Sequence, residues 1–434
     1  SIDEAKSKYT NQYLFARLSG NIIRSLVLRD AEPKTGVRHD RPRTSGPPAI
    51  YQIWYDFKIN PLIFSSISTV KCDAARASFG AAGEGLVWAV IDSGICAEHK
   101  HFERHENLRG QVEEWHCDFT GEDAPLVDGF GHGTHVAGII AGEIPAGPEE
   151  SHPAIVAYTR ALKADGEQTD REVLPEPVPL KSVSGMAPKT KLVSLKVIGA
   201  DEQGSVSSII AALARVQEIN ANGRYLRIHG VNLSVGYPFD PEWFACGQSQ
   251  LCVEVNRLVR SGVTVVVAAG NTGYGTVATE FRGGRKSGLA LSINDPGNAE
   301  CAITVGSTHR NMPHVYGVSY FSSKGPTGDG RLKPDLVAPG EKIVSCAAGK
   351  LREKFAAKLE PGVPQPNYIE STGTSMAAPH VSGAIAVFLS VKREFIGQPE
   401  RVKEILVSTA TDLRRERHFQ GAGLVDMMRA IQSV

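Results

Sequence analysis

Four polar residues of this 434-residue chain stand where acyl transfer would need them. Ser375 lies in S-T-G-T-S-M-A-A-P-H-V-S-G-A (371–384), where Gly373 and Thr374 break the preceding chain and an apolar run to Ser390 reads as a buried helix. A serine at that start holds its hydroxyl beside free backbone N–H groups and the positive end of the helix dipole, which would stabilise an oxyanion. The plainer reading is a tightly packed helix start rich in small residues. The choice turns on whether a base, an orienting acid and a second oxyanion donor exist elsewhere.

All three do. His132 sits between Gly131 and Gly133 in G-H-G-T-H-V-A-G-I-I-A-G (131–142), at the start of a second small-residue helix. It can take the hydroxyl proton of Ser375 as general base and later give it to a leaving amine. Asp92 follows the apolar run 86–91 and precedes Ser93-Gly94. A carboxylate at the tip of a buried strand needs a partner; bonded to the other imidazole nitrogen, it would stabilise the imidazolium. Asn271, after A-A-G at another strand end, offers its side-chain amide to the oxyanion.

The elements that must position these residues alternate. Apolar strands are expected at 86–91, 192–198, 231–235, 263–269 and 303–307, with helical patterns at 206–217 and 251–261 between them. Uninterrupted apolar strands separated by helices predict an α/β fold, a mainly parallel central sheet with helices on both faces. Ligands gather at the carboxyl ends of such strands, where Asp92, Ser234-Val235-Gly236 and Ala268 to Asn271 fall. A short helix from Ser68 through Ala81 leads in. Residues 143–184, rich in Pro, Glu and Lys, and residues 351–366, a charged helical stretch followed by Pro-rich chain, read as surface insertions. Residues 1–61 form a small N-terminal extension: an amphipathic helix over 9–31, a polar Pro- and Gly-containing connection to 48, and an alternating strand over 50–59 ended by Asn60-Pro61. The main domain is then 62–434.

Composition narrows the function. Lys plus Arg and Asp plus Glu both number 47, so no net field favours nucleic acid or an anionic membrane. No apolar run reaches membrane-spanning length. The N-terminus lacks the basic-then-apolar order of a signal peptide. With seven scattered cysteines this favours an intracellular setting, secretion after processing being the alternative. Cys246 and Cys252 are near enough in sequence for a local disulfide, though two thiols on one loop or helix face explain them equally well.

The chain order Asp, His, Ser is one used by serine hydrolases, and the surrounding segments resemble the subtilases, the subtilisin-like serine peptidases. The matching stretches are A-V-I-D-S-G-I (89–95), G-H-G-T-H-V-A-G (131–138), G-M-A-P-K-T-K-L-V-S-L-K-V (185–197), N-L-S-V-G (232–236), A-A-G-N (268–271), K-P-D-L-V-A-P-G (333–340), G-T-S-M-A-A-P-H-V-S-G (373–383) and G-A-G-L-V-D (421–426). The resemblance implies nucleophile Ser375, base His132, orienting acid Asp92 and oxyanion donor Asn271. It also implies that an extended polypeptide substrate pairs with Ser234, Val235 and Gly236, and that Ala268, Ala269 and Gly270 wall its P1 pocket, with Asn294 and Asp295 near the floor. It implies a chemistry without cofactor, and structural calcium for which no ligands are assigned because residues 143–184 replace the usual loop. I-Y-Q-I-W-Y-D-F-K-I-N-P (50–61) resembles the last strand of an inhibitory propeptide, the rest of which has no match. Residues 1–61 are therefore expected to dock in cis as a pro-like or bracing segment.

Plainer or rival roles stand beside these. The same groove without turnover would make a peptide-binding protein. His132 and His135 could found a metal hydrolase, but H-x-x-H lacks that motif's glutamate and third ligand. His135 is therefore read as structural, and no metal site is assigned. His99, His101 and His105 are read as part of a solvated polar loop, and Cys96, four residues beyond Asp92, as a small buried cysteine.

Overall fold

The structure is a computed structural model that describes residues 2, 16, 18–31, 50, 65–145, 155–162, 173–180, 182–279, 283–359, 363 and 365–434. The chain divides into two compact units, Ser1–Pro61 and Leu62–Val434. In the first, helix α1 (Gly20–Ala31) ends near Asp30, whose Oδ2 accepts the backbone N–H of Ile50 at 2.7 Å. The expected strand over 50–59 lies, beyond Ile50, outside the described residues, as do most of the connection to 48 and most of residues 9–17.

The second unit runs α2 (Ser65–Thr69), α3 (Cys72–Phe79), β1 (Val87–Asp92), β2 (Cys117–Asp118), α4 (His132–Ile140), β3 (Glu143–Ile144), β4 (Ile155–Leu162), β5 (Val173–Leu180), β6 (Val183–Ser184), β7 (Lys191–Lys196), α5 (Val206–Ile219), β8 (Gly230–Leu233), α6 (Gln250–Arg260) and β9 (Thr264–Ala268). It continues through β10 (Tyr274–Thr279), β11 (Gly283–Gly288), β12 (Ile303–His309), α7 (Pro313–Tyr316), β13 (Leu336–Glu341), β14 (Ile343–Cys346), α8 (Gly349–Ala356), β15 (Tyr368–Ser371), α9 (Thr374–Val391), α10 (Pro399–Thr409), α11 (Arg417–Gln420) and α12 (Met427–Gln432).

Seven strands form a parallel sheet in the order β13-β12-β9-β8-β1-β7-β2. Both faces are covered, as the uninterrupted apolar strands require. Along β1, Val87, Ala89 and Ile91 share a core with α5 and α6, while Trp88 and Val90 share the opposite core with α4 and α9. Burying each larger side chain stabilises the fold by ~1.5–3 kcal/mol. α9 is long and apolar enough to cross a membrane, but 83% of it is buried within the fold. A Cβ at Gly383 would come within 2.4 Å of Met186 Cβ, so only glycine lets α9 lie this close to the chain before β7.

Register aligns the site. Ile91 pairs with Leu233, and Leu233 with Val267. The next residue on each strand, Asp92, Ser234 and Ala268, therefore falls on one carboxyl edge.

Two expectations need correction. The helix over 68–81 is broken at Lys71, which takes a left-handed φ of 61° between α2 and α3. The Lys71 ammonium there bonds the carboxylate of Asp426, and the Val70 carbonyl accepts Met427 N–H at 3.0 Å. Residues 143–184 are more than a surface insertion: β4 pairs parallel to β15, giving a second sheet in the order β14-β15-β4-β5. Tyr158 of β4 is buried with Ile369, Ala347 and Phe355, an apolar cluster that pulls the segment onto the body of the unit.

Candidate active site

His132 opens α4. The preceding Gly131 has φ 101°, and a Cβ there would meet the Ala348 carbonyl oxygen at 2.0 Å, so the close approach requires glycine. Asp92, fully buried at the end of β1, accepts the backbone N–H of Ser93 and the imidazole Nδ1–H of His132 on one oxygen, Oδ1, each at 2.8 Å. An acceptor carboxylate at Nδ1 puts the proton there and leaves Nε2 free to accept. The Phe130 ring stacks on the imidazole at 5.9 Å. Burial works against the imidazolium, but the Asp92 carboxylate and the charge of Asp128 outweigh it, and the His132 pKa is raised.

Asp128 is absent from the residues read out of the sequence. Its buried carboxylate accepts Ser93 Oγ–H (2.9 Å), Gly131 N–H (2.6 Å), Thr134 N–H (2.8 Å) and Thr134 Oγ–H (2.6 Å), which fixes the turn presenting His132. The only signal in the sequence is an acid four residues before the histidine, in D-G-F-G-H-G (128–133).

Ser375 is the second residue of α9, where a backbone N–H has no acceptor within the helix. Its hydroxyl donates to the Ser234 carbonyl at 3.0 Å rather than to His132, and Ser234 Oγ–H donates back to the Ser375 carbonyl at 2.9 Å. Behind Ser234 runs a buried polar relay: Asn232 Nδ2 donates to Ser234 Oγ and Ser382 Oγ–H to Asn232 Oδ1, both at 2.9 Å. Asn271 lies close by, since a Cβ at Gly373 would be 3.4 Å from its Nδ2. Thr374 orients it, donating its N–H (2.9 Å) and its hydroxyl (3.0 Å) to Asn271 Oδ1. Asn271 is exposed, and its Nδ2 makes no hydrogen bond to a described residue.

Ala268 and Ala269 are buried at the end of β9, and Gly270 follows with φ 106°. Of the two residues expected at the pocket floor, only Asn294 borders this wall: a Cβ at Gly270 would stand 2.6 Å from its Cγ. Asp295 is turned inward, accepting Asn298 Nδ2 at 2.8 Å, while its backbone pairs with Tyr237. Val235 and Gly236 continue from Ser234 as partly exposed chain.

The other histidines and cysteines singled out in the sequence lie apart from this set of residues. His135 is buried, and its Nε2 donates to the Ile369 carbonyl at 3.2 Å. The loop carrying His99, His101 and His105 is not simply solvated. His101 is fully buried among Phe102, His99 and Tyr368, and burial pulls its pKa down to about 3. Cys246 and Cys252 are free buried thiols, so the local disulfide is not formed; burial, then the charge of Asp295, pushes Cys252 up to about 12. Cys96, expected to be buried, is only half-buried, and that burial raises its thiol. Among the described residues no three His, Cys, Asp or Glu side chains converge to hold a metal ion.

A doubly covered parallel sheet that gathers an Asp–His pair, a helix-start serine and an oriented amide at one carboxyl edge has the layout of an α/β serine peptidase. The chain belongs to the subtilase family: the Peptidase_S8 family model matches residues 83–423. It is similar to pyrolysin of Pyrococcus furiosus, 30% identical over 70% of this chain but only 21% of pyrolysin. It is likewise similar to an alkaline protease of Alkalihalobacillus alcalophilus, 29% identical over 87% of this chain and 73% of that protein. Subtilisin DY of Bacillus licheniformis is 27% identical over 84% of this chain and 97% of its own length.

Proposed function

We propose that the chain is a serine endopeptidase that cleaves polypeptides through an acyl-enzyme on Ser375. Ser375 Oγ attacks the scissile carbonyl carbon as its proton passes to His132 Nε2. The oxyanion is received by the Ser375 N–H and Asn271 Nδ2, and the imidazolium, held by Asp92, protonates the leaving amine. Water then repeats the sequence on the ester. The substrate backbone lies along Ser234, Val235 and Gly236, with its P1 side chain against Ala268, Ala269 and Gly270.

The observation that carries this reading is the 2.8 Å Asp92–His132 bond, because it leaves Nε2 unprotonated at the edge where Ser375 stands. For attack Ser375 must give up its hydrogen bond to the Ser234 carbonyl and turn its hydroxyl to His132. A substrate N–H competing for that carbonyl favours the release. The chemistry requires no cofactor, and any bound calcium would act on stability.

A serine-directed fluorophosphonate tests the assignment. Labelling of Ser375 that abolishes peptide hydrolysis, with neither labelling nor hydrolysis in Ser375→Ala, is the expected result. A protein neither labelled nor active would be a silent peptide binder, and chelator-sensitive turnover without labelling would be a metal hydrolase. Residues 1–61 are assigned a cis-docking, pro-like role. Mass spectrometry of the active form decides it: undiminished turnover with residues 1–61 retained overturns inhibition and leaves a brace.

A further inference from the structure

Outside the cleft, a strip of exposed aromatic rings leads away from Asn271. Tyr274, three residues further on, meets Tyr320 edge-on at 5.6 Å between centroids, and Tyr320 is 68% exposed. Lys324 joins this pair to Phe419: its Nζ donates to the carbonyls of Gly273 (2.9 Å) and Tyr320 (3.1 Å) and sits 4.9 Å over the Phe419 ring. Phe419 then lines a depression of about 260 Å³ with Tyr316, Val318, Arg415 and Glu416. Tyr316 is 63% exposed and Phe419 41%. A connected run of exposed rings is a marker of contact with another molecule.

Around the depression three arginines, Arg414, Arg415 and Arg417, stand against two carboxylates, Asp412 and Glu416, an excess of one positive charge (3 − 2). Arg414 and Arg417 are exposed and make no ion pair among the described residues, while the Arg415 guanidinium donates to backbone carbonyls, including that of His314. Glu416 caps α11 through the His418 N–H, and Asp412 accepts from Gln420 and the Arg414 N–H. A twofold contact with a second copy would set Arg414 and Arg417 against their own equivalents or near them. An acidic partner meets Asp412 and Glu416 but is drawn by the arginines that outnumber them, and guanidinium groups and rings together suit acidic and aromatic side chains.

We propose that this strip is an exosite for an acidic, aromatic-bearing stretch of a polypeptide substrate, engaged while the scissile bond occupies the cleft. The continuity from Asn271 through Tyr274 and Tyr320 makes the occupant part of a chain bound in the cleft, so the inference rests on the peptidase reading.

Two substrates with one scissile sequence test it: a short chromogenic peptide, and a long polypeptide that adds an Asp/Glu-rich segment with Phe and Tyr. In Arg414→Glu/Arg417→Glu, and separately in Tyr316→Ser/Phe419→Ser, kcat/KM for the long substrate should fall about tenfold, chiefly through KM. The short peptide and fluorophosphonate labelling should be unchanged. The acidic aromatic segment alone should inhibit cleavage of the long substrate and not of the short one. Equal effects on both substrates, or none, overturn the exosite, as does a wild-type dimer in sedimentation that these variants dissociate. If no substrate is cleaved, fluorescence anisotropy of the labelled segment still decides: binding lost in both variants supports the strip, and absence of binding to wild type overturns it.

Discussion

His132 is where pH acts on this site. A base must be neutral to accept a proton, and Asp92 and Asp128 together hold the His132 pKa above its ordinary 6.5 against the opposing effect of burial. The acid limb of kcat/KM against pH should therefore lie above that value, and Asp128→Asn should move it down. A limb that does not move would show that the Asp128 charge does not reach the imidazole. The same shift is a stability statement. A folded pKa above the unfolded one stabilises fully below the unfolded value and is lost as pH rises through the folded one. At Asn271 the prediction concerns geometry. Asn271→Ala should lower turnover by roughly a hundred- to thousand-fold. Thr374→Val keeps the backbone N–H but loses the hydroxyl on Asn271 Oδ1, and should lower kcat by about tenfold with KM little changed, as for a lost positioning bond. Steady-state kinetics on a short peptide separates the two. Asp92, His132, Asn271 and Ser375 were legible because each follows a strand or opens a helix beside glycine. Asp128, Thr374 and Asn232 were not, since their parts consist of hydrogen bonds between segments far apart in sequence or hidden in turns.

Among the elements, the β4–β5 hairpin bears on the helix start that carries Ser375. β15 leads into α9 across residues 372 and 373, and β4 pairs with β15 at Tyr368 and Ile369. Tyr158→Ala opens the buried cluster that seats the hairpin and should cost ~3–5 kcal/mol, the range for large aromatic truncations. Urea unfolding followed by fluorescence measures it, and a loss below about 1 kcal/mol would show that the hairpin rides on the surface, as the sequence suggested. That expectation failed for a physical reason. Pro175, Pro177 and Pro179 make the segment read as loop, yet they fall at alternate positions of β5, opposite Arg160, Tyr158 and Val156. Among the described residues β5 pairs only with β4, and the three prolines share one parity, so their missing N–H groups fall together on the outer edge, where a strand can do without them. The α/β alternation of the main sheet was legible because its strands are buried on both faces. The order β8-β1-β7 was not, because parallel pairing is decided by crossovers that leave no periodic trace in the sequence.

At the scale of the whole second unit, one buried charge knot ties the far edge of the sheet to the C-terminal helices. Lys333 Nζ donates to Asp335 Oδ2 (2.7 Å), Thr304 Oγ1 (2.8 Å) and the Ala302 carbonyl (2.9 Å), and Lys403 of α10 reaches Asp335 Oδ1 at 3.0 Å. K-P-D-L-V-A-P-G was legible as a resemblance, but nothing in those eight residues shows that its carboxylate serves two lysines, one of them about seventy residues away. Burial raises the Asp335 pKa, but Lys333 and Lys403 outweigh it and hold the carboxyl below its ordinary 3.8. A folded pKa below the unfolded one gives stability that is present above the unfolded value and lost as pH falls through the folded one. Burial pulls the Lys333 pKa down to about 7 even beside Asp335, so Asp335→Asn leaves Lys403 without its carboxylate and drives Lys333 to shed its proton, and it should cost ~3–5 kcal/mol near pH 6, the range for breaking a buried pair. Towards pH 3 and below, the wild-type carboxylate takes up its proton and the difference should narrow. Urea unfolding at a series of pH values should therefore give two curves that converge on the acid side. Curves that stay parallel would mean that Asp335 acts through its hydrogen bonds to the strand and not through its charge.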